Sequence, residues 1–413
     1  MFLTRLALKN LTRHRNRTLL TSFLIAFAVF FYTLMDSLIA GMVEMSYETI
    51  IDYETGHLQL ATGAYWDKEE ELPLENLLEL DERLLSVLGN LEGKPAFLPE
   101  LSFSARLNTG FSDLPVIGKG VDSAQLLKVF KLEGQFVEGE IFTPGEYRAV
   151  IGKRLADLLK LQTGEYITLL VKDKNNTFNT IDLEIAGLVH TVNPNVNNYH
   201  VYLPLDLVQQ ALDVGNQVSK VVLRLADRSL AADLAGRLQN SLNKDHPNIT
   251  VIPWNQMEAL AFEDVSHLEN QLILMITLLI AAIAIINTVI LSALERMGEI
   301  GMMKAMGLQT REVVYTFVLE STGIGILGGL AGLLFGAAAV WALVSYGMDW
   351  GAMMGGVDMT SFGIPVVGRT YGVWNPGAFL FVFLFAVLVS SLSSILPSYW
   401  AASKDPVKAI DHH

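Results

Sequence analysis

Long uncharged stretches alternate with shorter mixed ones along this 413-residue chain. A helix that crosses a hydrocarbon core of ~30 Å needs about 20 mostly apolar residues. Four stretches meet that requirement. Thr18 to Met35 is uncharged and continues past the single acid Asp36 to Met42, while Gln271 to Leu294, Ser321 to Met348 and Thr370 to Ser403 carry no charge at all. The pattern predicts membrane helices at 18–42, 271–294, 317–348 and 376–402. The first is longer and more aromatic than a signal-peptide core and lacks a small-residue cleavage site after it, so an uncleaved anchor is expected.

Between the first two runs, residues 43–270 switch to short alternations and amphipathic windows. Lys220 to Ala226 alternates like a strand, Ser229 to Leu242 has apolar residues at helical spacing, and Asn248 to Pro253 reads as another strand. An earlier counterpart runs through His57 to Ala61, Leu77 to Leu88 and Pro95 to Leu107. Between them, at about 111–218, lies a mostly β insert with strands expected at Leu114 to Asp122, Tyr147 to Ile151, Tyr166 to Val171 and Ile181 to Val189. A helix at Arg154 to Leu161 and turns at Gly164 and Asn175 to Asn176 interrupt it. The expected fold class is a four-helix α-helical membrane protein with a large α+β extramembrane domain, antiparallel strands on one face and helices on the other.

Charge then orients the chain, because Lys and Arg near helix ends favour the cytoplasmic side. Residues 1–17 hold Arg5, Lys9, Arg13, Arg15 and Arg17 with no acid, and Arg296, Lys304 and Arg311 lie in the 295–316 loop. The outer loop from Asp349 to Arg369, within 349–375, holds one cation, and 403–413 forms a short tail. Both termini are therefore expected in the cytoplasm and residues 43–270 outside, in the periplasm. Val43 to Asn270 carries 34 acids against 18 basic residues, a balance of −16 in a chain of −14. That acidity argues against nucleic acid or anionic lipid headgroups as partners of the exported domain. Phe2, Leu3, Leu6 and Leu11, interleaved with cations, suit an amphipathic helix lying in the inner headgroup layer.

The chemistry is defined by what is missing. The sequence has no cysteine, which excludes disulfides, thiol catalysis and cysteine-ligated zinc. It contains no GxxxxGK[ST] loop to cradle ATP phosphates, no HExxH and no GxSxG elbow. The eight histidines are scattered, with His412 and His413 at the end. No catalytic residue, no metal ligand and no cofactor of its own is expected.

LALKNLTRHRNRTLLTSFLIAFAVF near the start, ERMGEIGMMKAMGLQTREVVYTFVLES at 295–321, the glycine-rich helix after it and the closing LPSYWAASKDPVKAI resemble the FtsX/MacB-type (type VII) ABC transporter permeases. Among these, length and ectodomain size are most similar to the lipoprotein-releasing, Lol-type permeases. IGKRLADLLKLQTGEYITLL resembles a recurring segment of their extracytoplasmic domains. The resemblance implies porter and sabre subdomains, a second permease subunit as homodimer or heterodimer, and two copies of a separate ATPase subunit carrying ATP and Mg. It further implies a lipoprotein or amphiphilic cargo, with a periplasmic chaperone or adaptor as a possible further partner. Only seventeen residues precede the first run, where MacB carries a fused ATPase.

The resemblance also assigns residues. The segment Glu299, Ile300, Gly301, Met303, Lys304, Ala305, Met306, Gly307 matches the coupling helix that inserts into the ATPase. Ile300, Met303 and Met306, at i, i+3 and i+6, are expected to form one apolar stripe whose thioethers suit a moving protein groove; an ordinary interfacial helix touching lipid is the plainer alternative. In the Lol branch the lipid sits between the outer halves of the first two helices, here Phe27, Phe30, Phe31 and Met35 facing Leu272, Met275, Ile276 and Leu279. Plain lipid-facing surface is an equal expectation for any one of them. Gly325 and Gly329, and Gly328, Gly332 and Gly336, repeat every four residues and allow close helix packing within the subunit. The resembling fourth helix is expected there, with Ser390, Ser391, Ser393 and Ser394 as hydrogen-bonding partners.

Asp36 lies roughly 27 Å along the first helix, which predicts a hydrated carboxylate at the outer rim. Glu320 suits either an ion pair or a part in the working stroke. For a triacylated cargo, each methylene exposed to water costs about 0.8 kcal/mol, so the chains must stay covered during extraction. One departure stands out: the Lol subunit that docks a chaperone has a long proline-containing hairpin where this chain has only Asp173 to Thr180, without a proline, which argues against direct chaperone docking here and leaves the non-docking partner subunit or another cargo as expectations. Lipoprotein release is therefore expected alongside two alternatives, MacB-like efflux of amphiphiles or peptides and FtsX-like regulation of a cell-wall hydrolase.

Overall fold

The computed structural model describes residues 13, 15–257, 262–350 and 369–403. The basic segment with Phe2, Leu3, Leu6 and Leu11 and most of the tail lie outside the described residues. Four described helices are long and apolar enough to cross a membrane: Thr18–Thr55, Leu268–Ser292, Thr310–Tyr346 and Pro376–Ser403. The chain divides into a helical unit, with Asp264–Trp350 as its longest segment, and an α/β unit containing Met45–Glu263. The first long helix, Arg15–Ile50, runs past the expected boundary at residue 42 because nothing in Val43 to Ile50 breaks a helix; it ends in a π-helical turn, Ile51–Thr55.

In the helical unit, the glycine stripes divide their work between two neighbours. A Cβ on Gly328, Gly332 or Gly336 would meet Ser22, Ala26 or Thr33 of the first helix at 2.7, 2.6 and 2.3 Å. Gly325 and Gly329 instead face Ser390 and Phe383 of the fourth. Without a driving force from water, such close backbone approach is what binds helices in lipid. The serines do part of the expected work: Ser390 donates to the Ser321 carbonyl at 2.7 Å, and the Ser391 and Thr322 hydroxyls are 2.8 Å apart. Ser393 and Ser394 donate to carbonyls of their own helix instead.

Asp36 departs from the expectation of a hydrated rim carboxylate. It is only 6% exposed, and Asn375, which caps the fourth helix, donates to it at 3.4 Å. Distance along the helix carried no information about the segment before the fourth helix, which covers it.

In the α/β unit the strands are β1 (Leu58–Thr62), β2 (Leu78–Glu79), β3 (Ala96–Asn108), β4 (Asp113–Val121), β5 (Phe136–Gly139) and β6 (Arg148–Gly152). They continue with β7 (Tyr166–Lys172), β8 (Phe178–Val189), β9 (His200–Pro204), β10 (Gln217–Val218), β11 (Lys220–Arg224) and β12 (Ile249–Pro253). Ten of them form one sheet in the order β12-β1-β11-β3-β4-β9-β6-β8-β5, with β7 bridging β3 and β8. The bridge closes β3, β4, β9, β6, β8 and β7 into a ring. Its inward residues, including Phe103, Leu107, Ile167, Leu169, Leu183 and Val201, form one buried core.

The strand-helix-strand units form the other half. Helix Glu82–Gly89 starts where Asp81 accepts a hydrogen bond from the Leu84 amide at 2.7 Å, and it buries Leu84 and Leu88. Helix Ala231–Leu242 buries Leu234, Ala235, Leu238 and Leu242. Both pack on β1, β11 and β12 in a shared core.

One strand belongs to both halves. Ala96 to Glu100 of β3 pairs with β11, while Ala105 to Asn108 pairs with β7. The expected insert boundary near residue 111 therefore falls in the β3–β4 hairpin, after the ring has already begun. At the handover, the fully buried Glu100 is 3.2 Å from Lys119 and accepts from Ser102 at 2.7 Å, and nearby Lys220 pairs with Glu69 at 2.7 Å. Burial alone would raise the Glu100 carboxyl, but the Lys119 and Lys220 ammoniums overcome it and hold it below the usual range.

Candidate functional site

Residues 295–313 hold a short helix between two turns. The second long helix, Phe262–Leu294, ends two residues before helix Met297–Ala305 begins. The chain turns away after that short helix at Gly307, whose φ of +94° is a conformation open to glycine at little cost; its amide donates to the Lys304 carbonyl at 3.0 Å, and Leu308 to Met303 at 3.2 Å. Gln309 and Glu312 then form a reciprocal capping box that starts the third long helix, Thr310–Tyr346. Lys304 bonds the Thr310 hydroxyl at 2.9 Å and ties the turn together.

Burial splits the expected apolar stripe. Ile300 and Met303 point inward and pack on Val313, Phe317, Ala401 and Ala402. Met306 is 73% exposed, because the helix ends at Ala305 and Met306 is its cap. The outer face is instead Gly298, Met302, Ala305 and Met306, with Met302 55% exposed. Two of the three residues of the expected stripe thus hold the helix to its own chain, and the third faces outward with the neighbouring turn. Gly301 is buried, while Glu299 and Lys304 are half-buried.

An ionic anchor fixes that orientation. Arg296 is buried at the start of the short helix; it pairs with Glu320 of the third helix, donates to Glu299 at 2.8 Å and lies over the Phe317 ring at 5.1 Å. Glu320 thus serves as an ion-pair partner. Arg296 had signalled only orientation in the sequence; the Glu299 spacing of three residues was the one available hint of a local pair.

The other expected residues are placed as follows. Phe27, Phe31, Leu272, Met275, Ile276 and Leu279 stand exposed, and Phe30 and Met35 are half-buried. The first and second helices contribute other residues, Ile25, Val29, Tyr32, Ile285 and Val289, to their common core. No group of His, Asp or Glu among the described residues has a metal-binding arrangement.

Comparison with known proteins extends this geometry. Residues 18–241 match the MacB-like periplasmic core domain and residues 272–406 the FtsX-like permease C-terminal domain. The chain is 24% identical over 267 residues to the lipoprotein-releasing system transmembrane protein LolC of Neisseria meningitidis serogroup B, covering 62% of this chain and 64% of that protein. It is 27% identical over 226 residues to the macrolide export ATP-binding/permease protein MacB of Bradyrhizobium diazoefficiens, covering 52% of this chain and 30% of that one. The crystal structure of the periplasmic region of MacB from Actinobacillus actinomycetemcomitans overlaps 50% of this chain and 93% of that region, with a TM-score of 0.38 and 14% identity. With one of these domain families spanning more than half of its length and the other most of the remainder, the chain belongs to the FtsX/MacB-type ABC transporter permeases.

Proposed function

We propose that this chain is the non-catalytic permease subunit of a transporter in the bacterial inner membrane, with both termini cytoplasmic and the α/β unit periplasmic. ATP and Mg bind to a separate ATPase subunit, present in two copies, and a second permease subunit completes the membrane part. The ATPase docks on the outward face made by Gly298, Met302, Ala305 and Met306. The observation that carries this reading is the combination of an exposed thioether face and a buried anchor on one nine-residue helix. Two flexible apolar side chains beside small residues accommodate a moving groove. The Arg296 ion pairs pass displacement of that helix to the third.

The work is applied to lipoprotein release from the membrane, with Phe27, Phe31, Met275 and Leu279 among the residues that cover the acyl chains. MacB-like efflux of amphiphiles or peptides is the second reading, and a specific feature favours it. The turn between β7 and β8 is closed on itself: the Asp173 carboxylate accepts from the Asn175 and Thr177 amides, each at 2.8 Å, leaving no extended hook for a chaperone.

Gentle purification from native membranes tests the proposal. An ATPase together with an acylated lipoprotein supports release; an adaptor protein in its place supports efflux, and a cell-wall hydrolase supports regulation. An isolated chain with no ATPase would refute all three.

A further inference from the structure

The large sheet of the α/β unit ends on β12 at one side and β5 at the other. β12 pairs with β1 alone, in a register held at both ends: the Gly63 amide donates to the Asn248 carbonyl at 2.9 Å and the Trp254 amide to the His57 carbonyl at 3.0 Å. Antiparallel strands exchange such bonds at every second residue. Thr250 and Ile252 therefore turn their backbone groups toward β1, and Ile249, Val251 and Pro253 turn theirs outward. An outward row of this kind is a template on which another strand can pair.

In this chain that row is filled from within. Helix Ala231–Leu242 buries Leu234, Ala235, Leu238 and Leu242 against the sheet, which sets the half-buried Gln239 on the strand edge. Its Nε2 donates to the Ile249 carbonyl at 2.8 Å, and its Oε1 accepts from the Val251 amide at 2.8 Å. The second Nε2 hydrogen goes to Asn243 Oδ1 at 2.8 Å, so a flipped amide would lose all three bonds. The Ile249 amide donates to the His246 carbonyl at 3.1 Å, and Pro253 has no amide hydrogen to offer. β5 is blunted by other means: it has four residues, a register shift in its pairing with β8, and the exposed Glu138.

We propose that Gln239 is an internal plug that closes the β12 edge against the same strand of a second copy of this chain. The edge is self-complementary. Two antiparallel β12 strands related by a twofold axis at Thr250 bring Val251 of each opposite Ile249 of the other, and each Val251 amide then donates to the Ile249 carbonyl of the other copy. Those are the two groups that Gln239 now occupies. Ile249 and Val251 keep their side chains in the core beneath the strand, so the plug withholds only backbone groups and its removal requires no refolding. This inference concerns the α/β unit alone and does not depend on the transport reading.

Because the chain has no cysteine, one introduced thiol reads the register directly. In the twofold arrangement the two Thr250 residues face each other as a non-hydrogen-bonded pair with Cα atoms about 4.5 Å apart, within the span of a disulfide. The full chain carrying Thr250→Cys, solubilised in detergent and oxidised, should give little disulfide-linked dimer. Adding Gln239→Leu, which keeps the helix and roughly the side-chain volume but neither bond, should raise that dimer at least about fivefold. In the reduced protein the Val251 amide should also exchange faster with deuterium. Gln239→Ala should act in the same way, so that a folding failure of one variant leaves the other to decide. Phe111→Cys, at a fully exposed hairpin tip, reports random collision and should not respond to Gln239→Leu. Equal cross-linking of Thr250→Cys with and without Gln239 would overturn the proposal, as would a rise at Phe111→Cys as large as that at Thr250→Cys.

Discussion

Arg296 and Glu320, 24 residues apart in sequence, form a buried ion pair that fastens the start of the short helix Met297–Ala305 to the third long helix. Removing Glu320 leaves the buried Arg296 guanidinium with Glu299 and without its buried partner, and breaking a buried pair typically costs about 3–5 kcal/mol, whereas replacing both with apolar residues of similar volume can be close to neutral. Glu320→Ala is therefore expected to destabilise the chain strongly, and Arg296→Met with Glu320→Met much less. A double-mutant cycle of thermal stability in detergent measures the difference, and additive losses would contradict the pairing.

The two faces of the short helix should separate binding from folding. Met302→Glu and Met306→Glu place charge on the outward face and are expected to weaken ATPase association by at least about tenfold with little change in melting temperature. Ile300→Ala empties a fully buried position and should instead cost about 2–5 kcal/mol of stability. Co-purification yield and thermal melting, measured on the same samples, check both. Equal effects from the two sets would argue against the assignment of the faces.

Gly332→Ala and Gly325→Ala differ by one methyl each from the native chain but should not behave alike. At Gly332 the new Cβ meets the Ala26 carbonyl oxygen at 2.6 Å, where backbone must move; at Gly325 the nearest atom is Ser390 Cβ at 3.0 Å. The first substitution is expected to cost more, on the order of 1–3 kcal/mol for overpacking. Thermal melting in detergent orders the two.

Acid should weaken the α/β unit through His57. Burial first, and the Arg224 charge second, lower this imidazole to about 4 from the ordinary 6.5, and its Nδ1 accepts a hydrogen bond from the Leu225 amide at 3.0 Å. The unfolded chain then binds a proton that the folded one excludes, so the contribution is complete above about 6.5 and is lost as pH falls from there to about 4. The melting temperature is expected to drop between pH 7 and 5, and to drop less in His57→Asn. An unchanged pH dependence in that variant would count against the assignment.

Much of the fold was legible because the dominant signals are local. Charge-free runs marked the long apolar helices, and alternation found β7 and β11 within two residues and β8 except for its first three. What stayed hidden depends on distant partners. The segment His200–Pro204 has no polar alternation to flag it, because β9 sits between β4 and β6 and all five of its residues are buried. Ring closure requires β3 to change neighbours midway, and nothing in its sequence marks the change. At the candidate site, the spacing of Ile300, Met303 and Met306 showed that the helix is one-sided, but only the packing of Val313, Phe317 and Ala402 revealed which side is taken. Asp52 and Glu54 read as two acids among the 34 of residues 43–270 until their partners were placed, Arg224 and Lys131 for the first and Asn193 and Asn195 for the second.

The ring of six strands limits how anything else can hold this part of the molecule. Each member already has a neighbour on both sides, so an incoming peptide could add a strand only at the sheet edges outside the ring, β12 and β5. Recognition of the ring itself reads side chains, and Phe111, fully exposed at the tip of the β3–β4 hairpin, is the most exposed large apolar one among the described residues.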